Sequence, residues 1–174
     1  MKNFLILLFL FITTISFGQT FELIEIGKSF TYSEKILIDN GFFKELEVLD
    51  KTTYSKDNDK VILENINDTI NSVSIRTSKA NKWNLLKSNY DDIVKSLTSK
   101  YGKPFLAKNE FRNKFKKGNE MQQVLNVDSN FITLFEYKNK KNVVSVEITL
   151  YDKEYVSEFA IVEINFSKRK VKKI

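Results

Sequence analysis

Histidine and cysteine are both absent from the 174 residues, and proline occurs once. Each absence removes a class of chemistry. Without imidazole or thiol there is no Ser-His-Asp triad, no cysteine nucleophile, no zinc site of the usual ligands, and no histidine or cysteine to hold a haem. Lack of cysteine also excludes a disulfide framework, and with it the lipid-attachment cysteine at the mature start of an exported lipoprotein. The five glycines are too scattered to form a phosphate-cradling loop. No cofactor is expected, and an enzyme built from this chain would have to use carboxylates, Lys, Tyr, Ser or Thr.

What is present begins with an export pattern. Met1-Lys2-Asn3 carries one positive charge, and no acidic residue precedes Glu22. An unbroken apolar run follows, Phe4-Leu5-Ile6-Leu7-Leu8-Phe9-Leu10-Phe11-Ile12, diluted by Thr13, Thr14 and Ser16. Ser16-Phe17-Gly18 then places small residues at the −3 and −1 positions before Gln19. A basic start, a short apolar centre and a small-x-small exit are the parts of a secretory signal peptide, here residues 1–18. A membrane anchor is the alternative, but a spanning helix needs roughly 20 apolar residues and this run falls short. The abundance of Lys, Asn, Ile and Phe, with the Phe-Gly-Gln junction, points to an AT-rich Gram-negative bacterium. Periplasm or secretion is therefore the expected destination, with no transmembrane span after cleavage.

The net charge of +6 comes from the ends. Lys2 leaves with the signal, and the tail Lys168-Arg169-Lys170-Val171-Lys172-Lys173 holds five positive charges, so the body between is neutral. A chain this basic would ordinarily raise nucleic-acid binding; with the excess confined to one end, no nucleic acid is expected. The organisation read from this is a signal at 1–18, a single α+β domain at 19–167 and a basic tail at 168–174.

Within the body, Trp83, Leu86, Tyr90, Ile93, Val94, Leu97 and Tyr101 recur at steps of three and four, the stripe of an amphipathic helix. Asn81 is placed to cap it, Gly102 to close it, and Pro104 to prevent continuation. Lys87, Lys95 and Lys100 fall on its polar side. A shorter helix is expected from Thr31-Tyr32-Ser33-Glu34, a capping-box pattern, to Asn40, stopped by Gly41. Most of the remainder alternates with period two. Strands are predicted at 23–26, 45–54, 60–66, 72–77, 131–137, 143–151 and 159–166, with Asn139-Lys140-Lys141-Asn142 as a hairpin turn. The charged insert at 108–127, with Phe111 and Phe115 at helical spacing, reads as a long loop or a short helix. The expected fold is an antiparallel sheet of about six to seven strands with two helices on one face, in a tandem helix-plus-three-strand arrangement.

Glu25-Ile26-Gly27-Lys28-Ser29, the helix end Asn40-Gly41-Phe42, and Tyr101-Gly102-Lys103-Pro104 resemble the turn motifs of BLIP-like and SmpA/OmlA-like exported domains. The resemblance implies a small α+β domain that binds through its sheet or loops without catalysis. The missing lipidated cysteine and inhibitor-type disulfides keep the membrane-assembly and inhibitor roles of those families from being carried over.

The most coherent candidate surface is the polar sheet face. Ser72, Ser74, Arg76 and Ser78 alternate in one strand, Ser145, Glu147, Thr149 and Tyr151 in another, and Glu163 and Asn165 in a third. Such a patch can hold a protein or glycan partner; the plain alternative is an ordinary solvated face. Arg112 and Lys114 in the insert are further candidate contacts. The tail cations Lys168, Arg169, Lys170, Lys172 and Lys173 could hold an anionic envelope polymer or lipid, at about 1 kcal/mol each against an anionic membrane, or could be a frayed end. Asp91 and Asp92, adjacent on a helix, point about 100° apart and cannot form a close acid–base pair. Asp57-Asn58-Asp59 begins like a calcium loop but lacks its glycine and later ligands, and Trp83, Tyr90 and Tyr101 read as core. Asp68-Thr69-Ile70 resembles a short O-glycosylation signal of exported Gram-negative proteins. The leading reading is a non-catalytic binding module of the cell envelope. The alternatives are an envelope-surface structural or stress protein held by its tail, and a carboxylate-based hydrolase, for which two carboxylates in one pocket would be needed.

Overall fold

A computed structural model describes residues 24–112, 117–126, 129–137, 141–150 and 159–168. The leader at 1–18, Lys114, Tyr151 and the tail beyond Lys168 lie outside the described residues. The elements in chain order are α1 (Phe30–Asp39), β1 (Phe43–Val48), β2 (Lys51–Lys56), β3 (Asp59–Ile66), β4 (Thr69–Ala80), α2 (Trp83–Tyr101), β5 (Leu106–Phe111), α3 (Glu120–Leu125), β6 (Ser129–Tyr137), β7 (Asn142–Leu150) and β8 (Ala160–Lys168). The fold is α+β, with one antiparallel sheet of eight strands in the order β1-β2-β3-β4-β8-β7-β6-β5. The expected six to seven strands are thus too few. Two helix-plus-four-strand runs replace the expected runs of three, and the last strand of each run meets at the centre of the sheet.

The undercount has particular causes. Residues 45–54, expected as one strand, are a hairpin whose tight turn uses Leu49 at φ 56° and Asp50, with no glycine to announce it. Much of the insert at 108–127 belongs to the edge strand β5 and the short helix α3, rather than to a loop alone. At the start of the described chain, Ile24 and Ile26 are buried but belong to no strand. Their segment is held instead by Gly27 N–H donating to the Ile70 carbonyl at 2.8 Å.

Helix α1 starts at Phe30 with Ser29 as its N-cap, not at the Thr31 capping box; the Ser29 hydroxyl accepts from the Tyr32 amide at 3.3 Å. Its first turn is secured from a distance by Asp68, in the β3–β4 turn. That carboxylate accepts from the Ser29 hydroxyl at 2.9 Å, the Thr31 amide at 3.1 Å and the Thr31 hydroxyl at 3.0 Å. These donors hold the Asp68 carboxyl below its ordinary range, the Thr31 amide contributing most. Glu34 does not reach back to the cap but accepts from the Tyr54 hydroxyl at 2.7 Å, joining α1 to β2. Helix α2 is bounded by Lys82 rather than Asn81, with no side-chain cap, and ends at Gly102 with φ 84°.

The apolar stripes of α1 and α2 meet one face of the sheet. Ile36, Leu37, Leu86 and Tyr90 join Val61, Leu63, Val73, Ile75, Val144, Val146, Val162 and Ile164 in a single core cluster, with Val124 of α3 added. Tyr90, Trp83 and Tyr101 are core residues as expected, Tyr90 fully buried and the others packed against the cluster. Trp83, Phe111 and Phe131 form a three-ring contact with centroids 5.0–5.4 Å apart, fastening the start of α2 to β5 and β6. The buried Tyr90 hydroxyl meets the Thr133 hydroxyl at 2.7 Å.

Leu86, wholly excluded from solvent, carries the prediction of this packing. Leu86→Ala should lower the unfolding free energy by about 2–5 kcal/mol in a denaturant titration. Tyr90→Phe should cost about 1–3 kcal/mol, because the Thr133 hydroxyl is left unpaired.

Candidate functional site

Alternation decides which side chains reach the face opposite the helices. In β7 and β8, Val144, Val146, Ile148, Ala160, Val162 and Ile164 face the core, so Ser145, Glu147, Thr149, Glu163 and Asn165 face away. The strand registers carry that face across the sheet. One row runs Lys108–Ile132–Glu147–Glu163–Arg76–Lys60–Ser55 from β5 to β2. The next runs Leu106–Leu134–Ser145–Asn165–Ser74–Ile62–Thr53–Leu46. Ser72, Ser74, Arg76, Ser145, Glu147, Glu163 and Asn165 therefore share one surface, across three adjacent strands that the sequence could not order.

The centre of this surface is less solvated than its composition implies. Glu163 is only 8% exposed. Its Oε1 accepts from the Ser74 hydroxyl at 2.9 Å and from Arg76 Nε at 3.4 Å. A carboxylate this sheltered needs such partners, because an unpaired buried charge is costly. Glu147 stands directly opposite Glu163 on the neighbouring strand, an arrangement of like charges that works against the fold. Farther out, Glu45 is bound by the Ser55 hydroxyl and by Lys60 at 3.0 Å. These two donors, Ser55 first, lower the Glu45 carboxyl from its ordinary range.

Sequence reasoning missed several members of this face. Lys60, Ile62, Ile132 and Leu134 come to it by register, and Glu45 by the bulge between Lys44 and Leu46 that re-aims it. Cross-strand register is not written in a local pattern, so no signal within one strand could have found them. Arg112 is exposed just beyond β5, and Lys168 closes β8 opposite Asn142. Lys168 is thus a sheet residue rather than the first residue of a tail.

A concavity of about 450 Å³ opens between the β2–β3 turn and α2. It is lined by Asn58, Asp59, Thr77, Lys79, Asn89, Asp92 and Ile93. Burial pushes the Asp59 carboxyl up, with Thr77 opposing. The cleft gathers one residue from each of two motifs that sequence spacing alone argued against: Asp59 from the broken calcium-like run and Asp92 from the adjacent pair. Asp91 points elsewhere, to Lys87 at 2.6 Å. In Asp68-Thr69-Ile70, Asp68 secures α1 and Ile70 is fully buried. Among the described residues, no three His, Cys, Asp or Glu side chains are grouped to hold a metal ion, and no helix is long and apolar enough to cross a membrane. Comparison with protein-family models, with curated proteins and with solved structures finds no match to this chain.

The unequal roles of the two facing glutamates are testable. Glu163→Gln should destabilise by about 1–3 kcal/mol, since a charged acceptor for Arg76 and Ser74 is lost. Glu147→Gln should be neutral or stabilise by about 0.2–1 kcal/mol by relieving like-charge repulsion. Chemical denaturation of the two variants reads both effects, and equal losses would contradict the assignment.

Proposed function

We propose that this chain is an exported, non-catalytic binding module of the cell envelope, and that its partner docks on the sheet face opposite the helices. One observation carries the reading: that face combines a fixed ionic centre, Glu163–Arg76–Ser74, with half-buried apolar side chains on both flanks, Ile62 on one and Ile132 and Leu134 on the other. A rigid polar centre that selects, within an apolar surround that contributes area, is the composition of a recognition surface. The signal-like leader supports export, and the resemblance to BLIP-like and SmpA/OmlA-like domains agrees with a sheet that binds. A protein or glycan of the envelope is the partner class this surface suits.

The tail-held envelope protein remains as a second reading, with the tail now beginning after Lys168. For the carboxylate hydrolase, the Asp59–Asp92 cleft is a place among the described residues where two carboxylates line one concavity. The experiment is capture from envelope extract on immobilised protein, read by mass spectrometry. The baits are the intact protein, a form ending at Lys168, Glu147→Lys and Leu134→Lys on the open face, and Asp91→Lys on the exposed side of α2. A discrete partner kept by the truncation and by Asp91→Lys, but reduced at least roughly tenfold by the two face variants, is the expected result. Capture that follows the tail alone, or that ignores both face variants, would overturn it.

A further inference from the structure

Strand β1 ends the sheet, and all six of its residues are exposed. It hydrogen-bonds β2 on one side, and among the described residues no strand pairs with its other side. The opposite edge strand, β5, exposes Ala107, Lys108, Asn109 and Glu110, a polar and charged border of the kind that blocks edge pairing. The β1 edge instead exposes Phe43, Leu46, Val48 and, in the following turn, Leu49 at 94% of its surface. Such an edge is a template for another strand, and its residue pattern says which one.

Phe43, Leu46 and Val48 pair with Ser55, Thr53 and Lys51, so all three face the open side; Lys44 and Glu47 pair with Tyr54 and Thr52, so both face the helices. The bulge places Glu45 on the open side as well, against Ser55 and Lys60. From Phe43 to Val48 the faces read open, helix, open, open, helix, open. That order is the same in reverse. An unbulged strand of even length could not self-pair about its midpoint with its faces aligned, because its two ends would point to opposite sides; the bulge removes that conflict.

We propose that two copies of this chain pair edge to edge through β1, antiparallel, about a two-fold axis between Glu45 and Leu46, making one continuous sheet of both. In this register Phe43 lies opposite Val48 of the partner subunit, and Lys44 lies opposite Glu47 of the partner subunit. Two-fold symmetry supplies each pair twice. Within one copy Lys44 already reaches Glu47 at 2.5 Å and Glu34 at 3.6 Å, so the charges on the helix side join into one alternating quartet across the axis. Ser55 and Lys60 hold the Glu45 carboxylate back, which keeps the residue at the axis from repelling its own copy. Phe43–Val48 pairs on the open side and opposite charges on the helix side commit the edge to a second copy of itself.

Charge reversal tests the register. Lys44→Glu leaves only acids at the two positions, and Glu47→Lys leaves only bases, so each variant should self-associate at least about tenfold more weakly than the wild type. Mixed in equal amounts, the two should pair with each other, and the double swap Lys44→Glu/Glu47→Lys should recover the wild-type dimer. Sedimentation velocity on the intact proteins across a concentration series reads all four, and recovery on mixing also shows that each single variant is folded. Leu46→Glu, which would face Glu45 of the partner subunit across the axis, should be monomeric. A wild type that stays monomeric throughout, single variants that dimerise as the wild type does, or singles that fail to pair when mixed would each overturn the proposal.

Discussion

The ladder between β4 and β8 joins the two four-strand runs, and among the described residues no other strand pair connects them. On the core side, Val73 faces Phe166, Ile75 faces Ile164 and Thr77 faces Val162 across this seam. On the other side, Ser74 and Arg76 reach across it to Glu163. Helix α2 lies over the seam, packing against β4 on one side and β6, β7 and β8 on the other. Each run opens with an amphipathic helix and brings four strands, but neither covers its own sheet edge at the centre. The seam makes those two edges interior and turns two half-sheets into one.

The same constraint shapes the surface. A sheet with helices on one side must present its other side, and period-two alternation supplies that side with whatever the core did not take. Where β4 meets β8, the side chains left over are Ser74, Arg76 and Glu163, and their mutual bonds make a fixed polar centre out of what is elsewhere a mixed face. The proposed binding role and the proposed β1 pairing use different parts of the molecule, the face and its end, so a two-fold assembly would set two copies of the same face side by side.

How much of this could be read from the sequence follows from how local each signal is. Helix α2 was legible because its stripe, Gly102 and Pro104 are all contained in one stretch of chain. Strand β7 was legible because one of its faces is buried and the other is not, and β8 because Val162, Ile164 and Phe166 alternate with Glu163, Asn165 and Ser167, although Glu163 is itself buried. Strand β1 has no buried face, and Leu49 occupies a turn position that usually announces itself with glycine or asparagine, so the hairpin was hidden. The polar residues of the open face could be picked out strand by strand, yet the contact of Arg76 with Glu163 spans 87 positions and depends on sheet order. The Asp68 cap, 39 positions from Ser29, was hidden for the same reason.

Native-state hydrogen exchange tests the seam most directly, because it reports opening strand by strand. The amides of Val73, Ile75, Val162 and Ile164 should be among the slowest in the protein and should exchange only with global unfolding, while β1 and β5 at the sheet edges open first. Strong protection retained in one four-strand run while the other exchanges, with the β4 and β8 amides opening below the global free energy, would show two separately stable halves and contradict the account.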